Sequence, residues 1–386
     1  MPTEKRLNRS IVEEALEKQG LTQTALGEAV GKTKQAVSKW IKGQSFPRPP
    51  ELLKLSLVLK VGYKQLVEVI DPEPQSQPIV AFRRRANCKT TDEHYTHAKA
   101  MGRWLSPLVD YLSVDEFFGA SSLKEPSVEY DYVQALVKKV RLDLGIDGDD
   151  PIKGKDLLDY FEKHQAILIP VMWGKKDKHE NALHIHLPES KSTWIYLNLD
   201  TNIPDFKFWM AHELGHVISV DLIDEDKMDF AEDFADAFAG ALIFPKEAAA
   251  TYFEKYAEAK NKTNRMKVVN EAILKHSISP FSVYKELEKF AKHHGKEFGE
   301  IDNKTLAYGA NRFIKKKGTV SQFLFGSHRP NADEFIRKVQ ARYKTEFFTA
   351  LEKYLNKTDA SDTYVKKVLN LPVTDAKAIF AALKND

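Results

Sequence analysis

Two histidines four residues apart, with a glutamate beside the first, stand in the apolar run WMAHELGHVI at 209–218. On an α-helix, residues i and i+4 lie on one face. His212 and His216 therefore project together, and two imidazoles at that spacing can hold one Zn²⁺. Glu213 lies one residue further on, where it can reach a metal-bound water from the side. A hydrolytic zinc site takes three protein ligands and leaves the fourth position to water. The third ligand is expected from a nearby helix, and AEDFADAFAGALIFP supplies it. Glu232 and Asp236 are again i and i+4. Glu232 is read as the ligand, and Asp236 as the acceptor of a hydrogen bond from the distal nitrogen of a ligating histidine. Asp229, Asp233 and Asp236 are the rivals of Glu232 for the third place. The chemistry implied is metal-assisted hydrolysis of a peptide bond, with Glu213 carrying the water's proton to the leaving amine. His276, Tyr284 and Arg312 are candidates for a further donor to the tetrahedral intermediate. The plain alternative is a helix whose polar groups are incidental and satisfied within the fold.

These groups need elements to carry them. YDYVQALVKKVRLDL has helical apolar spacing and stops at Gly145, and KGKDLLDYFEKH makes a second helix. AILIPVMW, ALHIHL and TWIYLNL are short β-rich runs, with HLPESKSTW as the connection of a hairpin. Two helices follow, FKFWMAHELGHVISV and AEDFADAFAGALIF, the second ended by Pro245. His184 and His186 alternate on ALHIHL and are expected on one face, as surface or cleft residues. TWIYLNL is either a strand that pairs with an extended substrate or an ordinary edge or core strand. Residues 94–118 look helical, and residues 300–386 hold amphipathic helices without a readable motif.

Near the N-terminus, LTQTALGEAVGKTKQAVSKWIKG places two short helical patterns on either side of Gly31, which can turn the chain with positive φ. Ala25, Leu26, Ala29, Val30, Val37 and Trp40 are expected on the inner faces. Thr33 can cap the second helix, which then exposes Lys34, Gln35, Ser38 and Lys39. Gln reads adenine edges, and Lys reads guanine or binds phosphate. Gln23, at the start of the first helix, is placed to meet the DNA backbone. Residues 1–70 carry twelve Lys/Arg against seven Glu. The stretch resembles the helix-turn-helix of the XRE, lambda-repressor-like family over roughly residues 7–70. The resemblance implies binding to duplex DNA, usually as a homodimer on paired half-sites. A helical dimerisation module with a solvated basic face is the alternative.

The Glu–x–x–x–Asp pair after His–Glu–x–x–His resembles the gluzincin peptidases. A closer resemblance is to the ImmA/IrrE family of metallo-endopeptidases, carried by RLDLG, IYLN, HELGH and EDFADAFAGALIFP. Asp236 stands where that family usually has Asn, and Lys285 where Arg is common. The resemblance covers roughly residues 128–290, and family members often carry an N-terminal XRE domain. It implies an α+β chain: an all-α helix-turn-helix domain, then a zincin-like, gluzincin-type domain with a small mixed sheet, then a helical C-terminal region. The domain reading is 1–70 for DNA binding, 71–127 for a linker and helical connector, 128–290 for the peptidase and 291–386 for helices without an assigned role. The function implied is a zinc-dependent endopeptidase that regulates by cleaving a specific protein, a repressor. The alternative is an XRE-type transcriptional regulator whose zinc domain senses rather than cuts.

Composition sets the bounds. At 386 residues the chain is long enough for two or three domains. A single cysteine, Cys88, excludes an intrachain disulfide and a Cys-rich zinc finger. The start, MPTEKRLNRS, lacks a signal-peptide core, and no apolar run reaches the length of a membrane span. A cytoplasmic protein without a membrane partner is expected. DPEPQSQP, with three prolines in eight residues, reads as a linker, and Arg83–Arg85 as a solvated or phosphate-touching run. Between Asp200 and Asp236 stand eleven acidic residues and two basic ones. They are either a negative rim that favours a basic protein substrate, such as a helix-turn-helix repressor, or a solvated helix–loop face.

Overall fold

The computed structural model describes residues 4–42, 45–70, 77–81, 92–113, 117, 123–174, 181–222 and 227–384. The linker at 71–76, Arg83–Arg85, Cys88 and the acidic residues 224–226 lie outside the described residues. The chain divides into two compact units, Met1–Ser76 and Gln77–Asp386. No described helix is long and apolar enough to cross a membrane.

The first unit runs β1 (Glu4–Leu7), α1 (Arg9–Gln19), α2 (Gln23–Val30), α3 (Lys34–Ile41), α4 (Pro49–Leu59), α5 (Tyr63–Leu66) and β2 (Val67–Ile70). Local signals set its breaks. The side chains of Asn8, Thr22 and Thr33 accept hydrogen bonds from Ile11, Ala25 and Ala36 backbone N–H groups, capping three successive helices. Gly31 closes α2 at φ 76°, the left-handed conformation that glycine adopts without a Cβ penalty. Leu26, Val37, Trp40, Leu52 and Leu55 build the core. Ala29, expected on the inner face, is exposed. β1 and β2 pair antiparallel and tie the two ends of the unit together.

The second unit is built on a four-stranded mixed sheet of order β3-β5-β6-β4. The strands are β3 (Ile79–Ala81), β4 (Ala166–Val171), β5 (Ala182–Leu187) and β6 (Ser192–Asn198). β4 runs parallel to β6, while β5 is antiparallel to both β6 and β3. Every residue of β6 is buried. A strand covered on both faces reads as a continuous apolar run, as TWIYLNL does. Both neighbours of β6 are strands of the sheet, so TWIYLNL has no free edge to offer a substrate.

The next helices are α6 (Asp92–Leu105), α7 (Tyr130–Asp143), α8 (Gly154–Lys163), α9 (Ile203–Ile218), α10 (Met228–Ile243), α11 (Lys246–Glu258), α12 (Lys262–His276) and α13 (Pro280–His293), of which α6, α8 and α9 pack on the sheet. Six more follow: α14 (Asn303–Lys317), α15 (Val320–Phe325), α16 (Ala332–Tyr343), α17 (Phe347–Lys357), α18 (Asp362–Leu369) and α19 (Val373–Leu383). One hydrophobic core runs through all of them, from Val80 to Leu383.

The closest helix packing is that of α9 against α10. It turns on Gly215, where an added Cβ would lie 2.8 Å from the Ala235 Cα. Backbone cannot yield to such a contact as a flexible side chain can. Gly215→Ala is therefore expected to destabilise the second unit by ~1–3 kcal/mol, the usual cost of overpacking. Gly154→Ala, where a Cβ meets nothing within 4 Å, should not. Thermal unfolding of both variants checks this, and equal melting temperatures would show that the two helices part freely.

Candidate metal centre

Helix α9 starts at Asn202 with Pro204 in its first turn, a position where proline's missing N–H costs nothing. It is buried along almost its whole length. That explains why so apolar a sequence carries a helix without a solvated stripe. His212, Glu213 and His216 sit in its last two turns and are 1, 4 and 1 % exposed. Glu232, on the facing α10, is 8 % exposed.

The four-residue spacing delivers the expected convergence. The Nε2 atoms of His212 and His216 lie 3.1 Å apart. Glu232 brings Oε2 within 3.4 Å of the first and Oε1 within 3.3 Å of the second. Among the described residues these three are the one group of His, Cys, Asp or Glu whose ligand atoms all lie within 4.8 Å of one another. Zinc bonds of about 2.0–2.1 Å at a tetrahedral angle set ligand atoms roughly 3.3 Å apart. The donor set and its spacing therefore fit a divalent cation of zinc's preference. Both oxygens of Glu232 are buried without a hydrogen-bond donor among the described residues, a costly state that a cation would relieve. Asp236, one turn on from Glu232, places Oδ1 2.9 Å from His212 Nδ1. It accepts the Nδ1 proton, which turns the Nε2 lone pair towards the cluster. Of the rivals for the third place, Asp236 is thus engaged from the other side of the ring, and Asp229 and Asp233 are exposed.

The charges follow from the geometry. Burial opposes a charge on His212, but the carboxylates of Asp236, which accepts from Nδ1, and of Glu232 beside Nε2 outweigh it and hold the ring up to about 10. Burial lowers His216. Glu232 feels burial too, yet the two histidines hold it well below the usual carboxylate range. Burial pushes Glu213 up to about 8, against the pull of His212. The two buried carboxylates of the α9–α10 pair are thus pushed in opposite directions, Glu232 down by its histidines and Glu213 up by burial.

Of the two expected places, surface or cleft, His184 lies with the cluster. It is fully buried, not at the surface, and its Nδ1 lies 3.8 Å from Glu213 Oε2. Its ring meets that of His216 edge-on, with centroids 5.6 Å apart. Burial and the charge of His216 push it well below the usual histidine value. Alternation along β5 gave the shared face of His184 and His186, but a single strand carries no sign of what packs above it. His186 is half-buried, and its Nδ1 lies 3.1 Å from Thr193 Oγ1. The three candidates for a further donor lie elsewhere. His276 packs against Phe244 and Tyr252, the Tyr284 hydroxyl accepts from the Ile301 N–H, and Arg312 is exposed on α14. No contact joins any of them to the cluster among the described residues.

In the first unit, Lys34, Gln35 and Lys39 are exposed on α3, and Ser38 on the same face is half-buried. Gln23 opens α2 and is half-buried. Thr33 is the cap of α3, with its hydroxyl turned to the helix. Thr22, the equivalent cap of α2, went unnoticed in the sequence although the same Thr-x-x-Ala pattern signals it.

His186 and His276 are both pushed down to about 4 by burial. Their unfolded value is ~6.5. Depressed histidines contribute stability that is complete above the unfolded value and lost as pH falls through the folded one. The urea midpoint should therefore fall between pH 6.5 and 4, and His276→Leu should flatten that fall. An unchanged slope in the variant would mean that His276 is charged in the fold.

Comparison with known families adds to this geometry. Residues 12–66 match the helix-turn-helix family model. Residues 166–276, from β4 to the end of α12, match the peptidase family M78 model, described as the IrrE N-terminal-like domain. No curated protein matches the chain. The second match marks a metallopeptidase-type domain and spans the whole cluster. The chain thus carries an XRE-type helix-turn-helix ahead of an ImmA/IrrE-like domain, as its motifs implied.

Proposed function

We propose that the chain is a zinc-dependent endopeptidase fused to a DNA-binding domain, and that it regulates by cleaving a specific protein, a basic repressor. The reading rests on one observation above all. Two imidazole nitrogens and a carboxylate converge in the buried interior, with the carboxylate of Glu213 on the same helix as the imidazoles. In this reading His212, His216 and Glu232 hold Zn²⁺, Asp236 orients His212, and Glu213 is the general base. Residues 128–290 form the peptidase domain, 71–127 the connector and 291–386 the helical region that follows it.

Zinc in such a site supplies a Lewis acid, which makes water nucleophilic near neutral pH and polarises the scissile carbonyl. The chain's own residues do the rest. Asp236 keeps the His212 proton on Nδ1 and the Nε2 lone pair inward. The Glu213 carboxylate accepts a proton from the attacking water and returns it to the amine nitrogen as the C–N bond breaks. Its elevated proton affinity, caused by burial, suits both halves of that transfer. The closed walls around it exclude bulk water from competing for the proton.

DNA contact is assigned to Gln23, Thr33, Lys34, Gln35, Ser38 and Lys39, with Thr33 acting through the cap that orients α3. The exposed polar face of α3 supports it, together with the helix-turn-helix match. A homodimer on paired half-sites is the expected binding form.

Metal analysis and kinetics test the first half. His216→Ala should lose most of the zinc, because one of three protein ligands is gone. Glu213→Gln should keep the zinc and lose ~100-fold or more of the rate against a co-expressed repressor. Full occupancy in the first variant, or an unchanged rate in the second, would sink the assignment. For DNA, the full chain should bind duplex with an affinity that falls as salt rises. Gln35→Ala should shift sequence preference, and Lys42→Ala should weaken all sequences alike. Binding indifferent to salt would point to a protein partner for the first unit instead.

A further inference from the structure

Helix α14 carries five Lys/Arg and no acidic residue. Every other charged α-helix described in the second unit has at least one Asp or Glu. We propose that α14 is a second DNA contact of the chain, a stripe that binds the phosphate backbone of a duplex without reading its sequence. The choice of duplex DNA as the occupant rests on the helix-turn-helix reading above; the match of the stripe to phosphate does not.

The helix turns its apolar face inward and its cations outward. Leu306, Ala310 and Phe313 are buried, and α14 packs on α13 and α9. Lys304, Tyr308, Arg312 and Lys315 are exposed. They stand at i, i+4, i+8 and i+11, which is one stripe along a helix. At 1.5 Å per residue the stripe is roughly 16 Å long. A duplex carries one phosphate charge per about 1.7 Å of its axis, so a stripe of that length meets a dense row of acceptors.

Nothing described in the fold neutralises these cations. Lys304, Arg312 and Lys315 form no ion pair among the described residues. Elsewhere in the second unit exposed lysines are matched: Lys163 with Asp143, Lys255 with Glu271, and Lys344 with Asp159 and Glu162. Asp302, just ahead of α14, is already engaged, since it accepts from the Thr305 N–H and pairs with Lys262. The helix itself gives no reason for Lys304. A cation in the first turn opposes the helix dipole, whereas Lys315 near the other end suits it. Tyr308 stands 73 % exposed in the middle of the stripe. Arg, Lys and Tyr are side chains that hold phosphate oxygens and fix a protein on its duplex. A lipid surface would want an apolar flank beside the charges, but the other exposed residues of this helix include Asn303, Asn311 and Lys317. Sequence is then read by α3, and part of the affinity is supplied by α14.

The test is duplex binding by the full chain, read as anisotropy of a fluorescein-labelled duplex across a salt series. Each phosphate contact adds ~0.9 to the slope of log K against log salt. Lys304→Gln/Arg312→Gln/Lys315→Gln should lower that slope by about 2 to 3 and weaken binding at least about tenfold near physiological salt, alike for all sequences. A control with the same loss of charge, Lys163→Gln/Lys255→Gln/Lys344→Gln, removes lysines already paired with carboxylates and should leave the slope unchanged. Lys304→Glu alone should weaken binding at least about threefold without lowering the melting temperature, because acid suits a first turn. An unchanged slope in the α14 triple, or an equal fall in the control, overturns the proposal. Should the triple fail to fold, Lys304→Glu decides, and unchanged affinity in it overturns the proposal as well. Lys34→Gln/Lys39→Gln on α3 reports on the first unit separately. A slope that falls with the α14 triple but not with this pair would overturn the helix-turn-helix reading and leave the stripe standing.

Discussion

The centre of the molecule depends on how closely two helices pass. Histidines at i and i+4 on α9 can share an ion only with a carboxylate from another element, and carboxylate side chains are short. Gly215 removes the side chain that would hold α10 away, and Ala235 opposes it. At that separation Glu232 reaches both imidazoles, and Asp236, one turn further, reaches the outer nitrogen of His212. The HELGH segment is thus two patterns superposed: polar groups for chemistry, and a glycine that sets the distance at which the chemistry is possible. Burial then turns a structural arrangement into an electrostatic one. It pushes two glutamates in opposite directions, Glu232 held down by its histidine neighbours and Glu213 raised by its desolvation.

What the sequence made legible was local. Helical spacing placed His212, Glu213 and His216 on one helix and Glu232 and Asp236 on the next, because a period of 3.6 residues is written within a few positions. Caps such as Thr33 and turns such as Gly31 are equally local. Three strands of the sheet were visible as apolar β-rich runs, while its mixed character came with the family resemblance. Pairings between distant segments were not. β1 with β2 and β3 with β5 involve short runs without a pattern of their own, and nothing nearby in sequence announces the partner. The sequence left His184 open between surface and cleft for the same reason: period two tells which residues share a face, not which face is covered. Ala29 erred in the opposite sense, an apolar residue on an exposed helix face, which its small size makes inexpensive.

The C-terminal helices had no readable motif because their work is structural and spread out. Trp173 donates its indole N–H to the Leu369 carbonyl, and the Tyr196 hydroxyl donates to that of Val368, so α18 ties down the sheet from beyond the β-strands. Phe347 of α17 meets Trp194 edge-on. Thr345 donates to the Leu168 carbonyl on β4, the strand at the far edge of the sheet. That edge also contains Pro170, which has no N–H to offer a further strand. The sheet is therefore closed off differently at its two sides: by proline and helices beyond β4, and by a three-residue strand of the same chain beside β5.

The direction of protein synthesis gives that asymmetry a meaning in time. Residues 79–81 leave the ribosome about a hundred positions before the hairpin they cover, since β5 begins at Ala182. They have no strand to pair with until that hairpin has formed. Closing so long a loop is entropically costlier than forming the hairpin itself, whose strands are joined by only a few residues. β5 and β6 can therefore pair before β3 reaches the outer edge of β5. During maturation there is an interval in which β5 presents an unpaired edge to whatever extended chain is near.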